Sequence, residues 1–250
     1  MDKSWEKRYQ ELINIYKKTT TNRYLSCSLD IKPKEQILYL GCSDIEPIRL
    51  LSQKGAELLI LCLNEENLSK IRREGFGAIL MNAEYIPYFG RFDKVICEDI
   101  FFPIDCPSKS FKNIINALKP DGEAWLEMVV DDGNLLVKEL IWQLLRENGY
   151  IYNLYSPSYL RRDKLIELIP KHYLKELTTQ TRYKTEVITL KRGFDWLKPY
   201  IKIASSHLPK DKQIHFEKLL KVTLKKRLKE SISNSLVMEY TILRIQMKKA

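Results

Sequence analysis

Glycine is scarce in this chain, with nine residues among 250. That is about half the usual share, and it excludes a collagen-like or glycine-linker architecture. Histidine is scarcer. The three residues His172, His207 and His215 show none of the HExxH-like spacings that hold a metal. The five cysteines are odd in number and include no CxxC pair. A disulfide framework and a zinc site are both disfavoured on that ground. No apolar run approaches the ~18 residues of a membrane-crossing helix. The opening MDKSWEKRYQ lacks the apolar core of a signal peptide. These absences predict a soluble, cytoplasmic protein that does not engage a membrane.

What is present is enough to build a core. The chain is 44% apolar and 10% aromatic, unlike a disordered sequence, and its length suits one large α/β domain with an elaborated cap. The net charge of +10 is unevenly placed. Residues 191–232 hold 12 basic against 4 acidic residues, and residues 233–250 add two more positive charges, so everything before 191 is neutral in sum. A basic C-terminal quarter fits a small acidic substrate, an acidic carrier protein or nucleic acid. It equally fits a solvated lysine face.

Apolar runs alternate with amphipathic ones. Strands are predicted at 36–40, 58–63, 78–81, 94–97 and 124–130, with helices at 45–53, 65–74 and 109–118. The strands are nearly all apolar, as expected when both faces of a sheet are covered. Strand, crossover helix and strand in repetition mean a parallel sheet with right-handed connections. Two helices are predicted upstream, at 4–18 and 20–29. Downstream the rhythm changes to helices at about 134–147, from Ser156 to Ile169, and near 193–205 and 211–230. Two alternating strands complete the pattern, near 173–188 and at 237–247. The expected organisation is one domain: N-terminal helices over 1–30, a ligand-binding half over 31–131, cap insertions at 132–157 and 191–232, and a final strand at 237–247.

The stretch ILYLGCSDIEPIRLL, residues 37–51, runs an apolar strand into Gly41 and Cys42 and then into a helix. Glycine lets a backbone turn tightly and approach a ligand closely. Later positions that such a loop usually gives to glycine hold Ser43 and Ile45. Ile45 is β-branched and tolerates a positive φ badly.

With LMNAEYIPYFGRFDKVICED and INALKPDGEAWLEM following in order, the chain resembles the class I S-adenosylmethionine-dependent methyltransferases from about residue 30 to 247. The resemblance implies a doubly wound, mainly parallel, Rossmann-like α/β sheet of seven strands. The implied order is 3-2-1-4-5-7-6, with the last strand antiparallel and a helical cap. It also implies S-adenosylmethionine as cofactor, lying across Gly41, Cys42, Ser43, Asp44, Cys62, Leu63, Asn82, Ala83, Glu84 and Cys97. It assigns no catalytic residue. The C-terminal helices resemble the group containing trans-aconitate and malonyl-carrier methyltransferases, which act on carboxylates.

Three positions depart from the family pattern. Tyr39 stands where the first strand ends in an acid, Ile45 where a glycine is usual, and Cys62 where an acid grips the ribose hydroxyls. Losing a charged hydrogen-bond partner costs roughly 1.5–3 kcal/mol, so two such losses weaken binding by about a hundredfold or more. Asp44 or Glu46 offers a substitute charge, and Asn64 an alternative hydroxyl partner. Glu98 and Asp99 follow the fourth strand, where they could face a substrate. Cys42, Cys62 and Cys97 all fall at strand ends, as a thiol cluster or as small apolar filler. No DPPY or NPPY follows the fourth strand, unlike the amino-methylating nucleic-acid enzymes.

Three functions follow from these residues: a methyltransferase acting on a small anionic or carrier-bound acceptor, a catalytically silent relative that binds a protein partner, and a nucleic-acid-associated methyltransferase.

Overall fold

The computed structural model describes residues 25–41, 44–98, 106–130, 143–144, 146–149, 161–189, 208–229 and 235–250. The predicted helices at 4–18 and 193–205, most of that at 134–147, and the positions of Cys42, Ser43 and Asp99 lie outside them.

Seven strands form one sheet, ordered β3-β2-β1-β4-β5-β7-β6. They are β1 (Gln36–Leu40), β2 (Glu57–Cys62), β3 (Ala78–Leu80), β4 (Phe92–Glu98), β5 (Leu118–Val130), β6 (Leu174–Thr189) and β7 (Ser235–Lys249). The pairs β1–β2, β1–β4, β2–β3 and β4–β5 are parallel. The mainly parallel, doubly wound sheet and the strand order expected from the sequence are both present.

Among the described residues the α-helices are α1 (Glu46–Gln53), α2 (Glu65–Arg73), α3 (Pro107–Ala117), α4 (Arg162–Glu167) and α5 (Lys210–Lys229). Their ends follow from local chemistry. Gly55 takes a φ of +85° after α1, so that the Gly55 and Ala56 N–H groups return to Ser52 and Leu51 carbonyls. That closes the last turn in a geometry that glycine adopts without strain. α2 starts at Asn64, whose side chain accepts the Asn67 N–H at 2.7 Å.

β5 begins six residues earlier than the sequence suggests. The run Lys119-Pro120-Asp121-Gly122 does not terminate the strand. It is an irregularity within it, with Asp121 at φ 61° and a register shift against β4. A Cβ on Gly122 would lie 2.9 Å from the Lys119 carbonyl oxygen, so only glycine fits at this kink.

Register separates the two faces of the sheet. Tyr39 pairs with Ile60 on one side and Ile96 on the other, and Ile96 pairs with Trp125. Side chains two residues apart share a face. Cys62, Glu98 and Glu127 therefore join Tyr39, while Leu40, Cys97 and Leu126 lie on the other face. The Tyr39 face packs with Leu25, Leu29, Ile45, Ile48, Leu68 and Ile71 in one apolar cluster.

The chain packs as two compact units. The first comprises residues up to 130, with 157–182 and 242–250. The second comprises 131–156 and 183–241. In the second unit α5 buries Phe216 and Leu220, and it exposes Lys210, Lys212, Lys218 and Lys226 together with Ile214 and Val222. Among the described residues, no helix is long and apolar enough to cross a membrane.

Candidate functional site

In an open parallel sheet, ligands lie beyond the carboxyl ends of the strands, where the strand order reverses. Here that point is between β1 and β4, since β2 and β3 extend one way and β5 the other. The C-terminal ends of β1, β2, β3 and β4 bring most of the expected ligand positions to one edge.

Gly41 follows β1. It is buried at φ 105°, and its N–H donates to the Leu61 carbonyl at 3.2 Å. This backbone conformation suits glycine, and the missing side chain leaves the chain open to close approach. Ile45 makes no such demand. It sits at φ −84° in right-handed helical conformation, 6% exposed. The clash expected from a β-branched residue at a glycine position does not arise, because the helix has already begun there.

Asp44 turns inward on its own backbone. Its Oδ1 accepts the Ile45 N–H at 2.7 Å and the Glu46 N–H at 3.4 Å. Glu46 is exposed and bonds Arg49 at 2.7 Å. Both acids proposed as substitute charges are thus engaged by α1.

After β2, Cys62 and Leu63 are fully buried. The Cys62 carbonyl accepts the Met81 N–H at 2.9 Å, which ties the ends of β2 and β3 together. The Asn64 side chain caps α2. The Asn67 amide nitrogen, in the first turn of that helix, is buried without a hydrogen-bond partner among the described residues.

Asn82, Ala83 and Glu84 form a buried 3₁₀ turn. The Asn82 side chain accepts the Glu84 N–H at 3.1 Å. Asn113 of α3 donates to the Ala83 and Glu84 carbonyls at 3.3 and 2.9 Å. The Glu84 carboxylate accepts the Cys106 N–H at 3.0 Å. This turn is braced from beneath, and Asn113 is a supporting residue that no sequence motif marked.

Cys97 is placed differently from the other expected positions. It is fully buried on the face away from Tyr39 and Cys62. Adjacent strand positions point to opposite faces, so Cys62 and Cys97 do not form a common thiol cluster.

The polar feature of this edge is Glu98, the last residue of β4. It is one step beyond the Leu40–Cys97 pair and so level with Gly41. Its Oε1 accepts the Ser26 N–H at 3.0 Å. Burial pushes its carboxyl up to about 7. The Ser26 N–H opposes that shift, the neighbouring Glu127 carboxylate reinforces it, and a hydrogen bond from the Tyr39 hydroxyl opposes it. The Ser26 hydroxyl lies close enough to act on the charge. It is itself buried, yet it makes no hydrogen bond of ordinary geometry among the described residues.

Glu127, paired with Glu98 in register, has its own cation. Arg244 of β7 donates to Glu127 Oε2 through Nε at 3.0 Å and Nη2 at 2.7 Å. Ser26, Glu127 and Arg244 were not legible as site residues, because their only sequence signal was a polar residue within an otherwise apolar strand or turn.

Comparison with known proteins accords with this arrangement. Residues 38–126 match the sequence family described as a methyltransferase domain. No curated protein sequence matches the chain. Among solved structures, the chain is similar to the YcgJ protein of Bacillus subtilis, with a TM-score of 0.59 and 16% identity over 90% of this chain and 96% of that one. It is also similar to phosphoethanolamine N-methyltransferase 2 of Haemonchus contortus, which was solved with S-adenosyl-L-methionine. There the TM-score is 0.52 and the identity 15%, over 98% of this chain and 57% of that one. Residues 38–126 thus match a methyltransferase domain, and the sheet order is that of the Rossmann-like methyltransferase fold.

Proposed function

We propose that this protein binds S-adenosylmethionine at the C-terminal edge of β1–β4 and transfers its methyl group to a small anionic or carrier-bound acceptor, a carboxylate among the candidates. The observation that carries the reading is Gly41. It is buried at φ 105° at the point where the strand order reverses, level with a carboxyl that burial holds near neutrality.

The residues present fit such a ligand. Gly41 offers open backbone, Leu63 and Ala83 offer apolar walls, and the Asn67 amide and Ser26 hydroxyl are buried polar groups with no hydrogen bond of ordinary geometry among the described residues. When bound, S-adenosylmethionine supplies an electrophilic methyl group on a sulfonium. The chain's part is to hold the nucleoside against the Asn82–Glu84 turn, to exclude water with Ile45 and its apolar neighbours, and to hold the acceptor in line. Positioning of that kind accounts for most of the rate when the acceptor is already a nucleophile. The acidic character of the acceptor is supported by charge, since α5 carries exposed lysines and the chain's excess positive charge lies beyond residue 190.

A second reading is a catalytically silent relative that binds a protein partner. Cys62 favours it, being buried where an acid is expected and offering only a weak acceptor.

Titration calorimetry with S-adenosylhomocysteine tests the ligand. A single saturable site is expected. No heat and no rise in melting temperature at millimolar ligand would sink the methyltransferase reading. Under the silent reading, binding persists while radiolabelled methyl transfer to a panel of small carboxylic acids and acyl carriers stays absent.

A further inference from the structure

Two carboxylates stand side by side at the carboxyl edge of the sheet, and they are treated differently. Glu127 is neutralised by Arg244 through two short hydrogen bonds. Glu98 forms no ion pair with any described lysine or arginine. Among the described residues its charge is met by neutral groups, the Ser26 N–H at 3.0 Å, the Tyr39 hydroxyl and the nearby Ser26 hydroxyl. Neutral donors do not fully repay the desolvation of a half-buried carboxylate. Glu127 lies on the adjacent strand and adds repulsion.

We propose that Glu98, held by Tyr39 and Ser26, is the counter-charge for a cationic group of the bound ligand. The proposal rests on the methyltransferase reading and goes beyond it by assigning a residue of β4 to the ligand's positive charge. Three observations meet at this place. Glu98 flanks the reversal of strand order together with Gly41, whose bare backbone is level with it. The Ser26 hydroxyl is fully buried beside the carboxyl and makes no hydrogen bond of ordinary geometry among the described residues. The local charge is unbalanced: Glu98, Glu127 and Arg244 sum to one negative charge when ionised, so a ligand cation completes the cluster.

The groups facing Glu98 among the described residues are Ser26 from the N-terminal turn, Tyr39 from β1 and Glu127 from β5, with Arg244 of β7 reaching it only through Glu127. In the ligand-free protein burial leaves Glu98 part-protonated at neutral pH. An incoming cation selects the ionised form and expels the proton.

S-adenosylmethionine carries two cations, an ammonium and a sulfonium. Three ligands separate them. S-adenosylmethionine has both, S-adenosylhomocysteine has only the ammonium, and 5′-methylthioadenosine has neither. Each is titrated into the wild-type protein and into Glu98→Gln at pH 6 and pH 8.

At pH 8, removal of the carboxylate is expected to weaken a cation facing it by roughly ten- to hundredfold. At pH 6 the loss is smaller, because the wild-type carboxyl is then largely neutral. If the ammonium is the partner, S-adenosylmethionine and S-adenosylhomocysteine weaken alike. If the sulfonium is the partner, S-adenosylmethionine alone weakens. In both cases 5′-methylthioadenosine is unaffected.

A second measurement does not depend on the variant folding. Titrations of the wild-type protein at pH 7, in buffers of different ionisation enthalpy, are expected to show about half a proton released per charged ligand and none with 5′-methylthioadenosine. Equal losses for all three ligands, or no loss and no proton release, would overturn the proposal while leaving the methyltransferase reading intact. If none of the three binds the wild-type protein, that reading falls and the proposal falls with it.

Discussion

The two faces of the sheet are built from the same strands and solve different problems. On one face Leu38, Leu40, Leu61, Val95, Cys97, Ala124, Leu126 and Met128 are almost wholly buried, and every one is apolar. On the other, Ile37, Ile60 and Ile96 give way toward the carboxyl edge to Tyr39, Glu98 and Glu127. The first face gains stability from apolar area alone. The second gives up some of that area to hold polar groups, each of which needs a partner in a medium of low dielectric. A sheet can therefore keep one face for stability and let the end of the other become a site.

Several substitutions break or sharpen that contrast. The largest effect is expected at Arg244. Arg244→Ala leaves Glu127 buried with an unmatched charge, and it should cost about 4 kcal/mol in chemical denaturation. Replacing Glu127 and Arg244 together by apolar residues should cost far less. If the double variant is as unstable as the single one, the pair matters for shape and not for charge.

On the apolar face the penalty comes from a cavity. Leu38 is fully buried, and Leu38→Ala should cost about 3 kcal/mol by the same measurement. Unlike the loss at Arg244, this one should be independent of pH.

Glu98 is expected to act in the opposite sense from an ordinary surface acid. Its folded-state pKa of about 7 lies above the usual 4.5, so the folded protein holds the proton more tightly than the unfolded chain. The corresponding stability is fully present below about pH 4.5 and is lost as pH rises through 7. Thermal melts of ligand-free Glu98→Gln should therefore gain on the wild-type protein between pH 5 and pH 8, by on the order of 2 kcal/mol. A difference between the two that does not change with pH would mean that Glu98 is ionised throughout.

The smallest effect concerns Asn64, which closes the first turn of α2. Asn64→Ala should cost about 1 kcal/mol. If Asn64 also met a ribose hydroxyl, nucleoside affinity would fall as well; its engagement by the Asn67 N–H predicts that affinity falls little.

Much of the architecture was legible in the chain. β1 matches its expected bounds and β2, β3 and β4 differ by one or two residues at their ends, because a strand covered on both faces is a short apolar run with polar ends. α1 and α2 likewise stop just before Gly55 and Gly75, whereas α3 starts at Pro107 without a side-chain cap and runs directly into β5. β5 was read too short, because Lys-Pro-Asp-Gly is ordinary turn chemistry and nothing local says that the ladder continues past it. The places of Cys42, Cys62 and Cys97 at strand ends fit either a thiol cluster or small apolar filler. Register shows that Cys62 and Cys97 face opposite ways, a fact of parity across strands and not of position along one.

The sequence by itself determined the alternation of strands and helices, the helix ends and the glycine turn after β1, since each depends on residues within a few positions of one another. The tertiary structure decided which charges are matched. Ser26 reaches Glu98 from 72 positions away, and Arg244 reaches Glu127 from 117. Whether a buried carboxylate is paired or left for a ligand depends on contacts between strands that the chain brings together only when the sheet is complete.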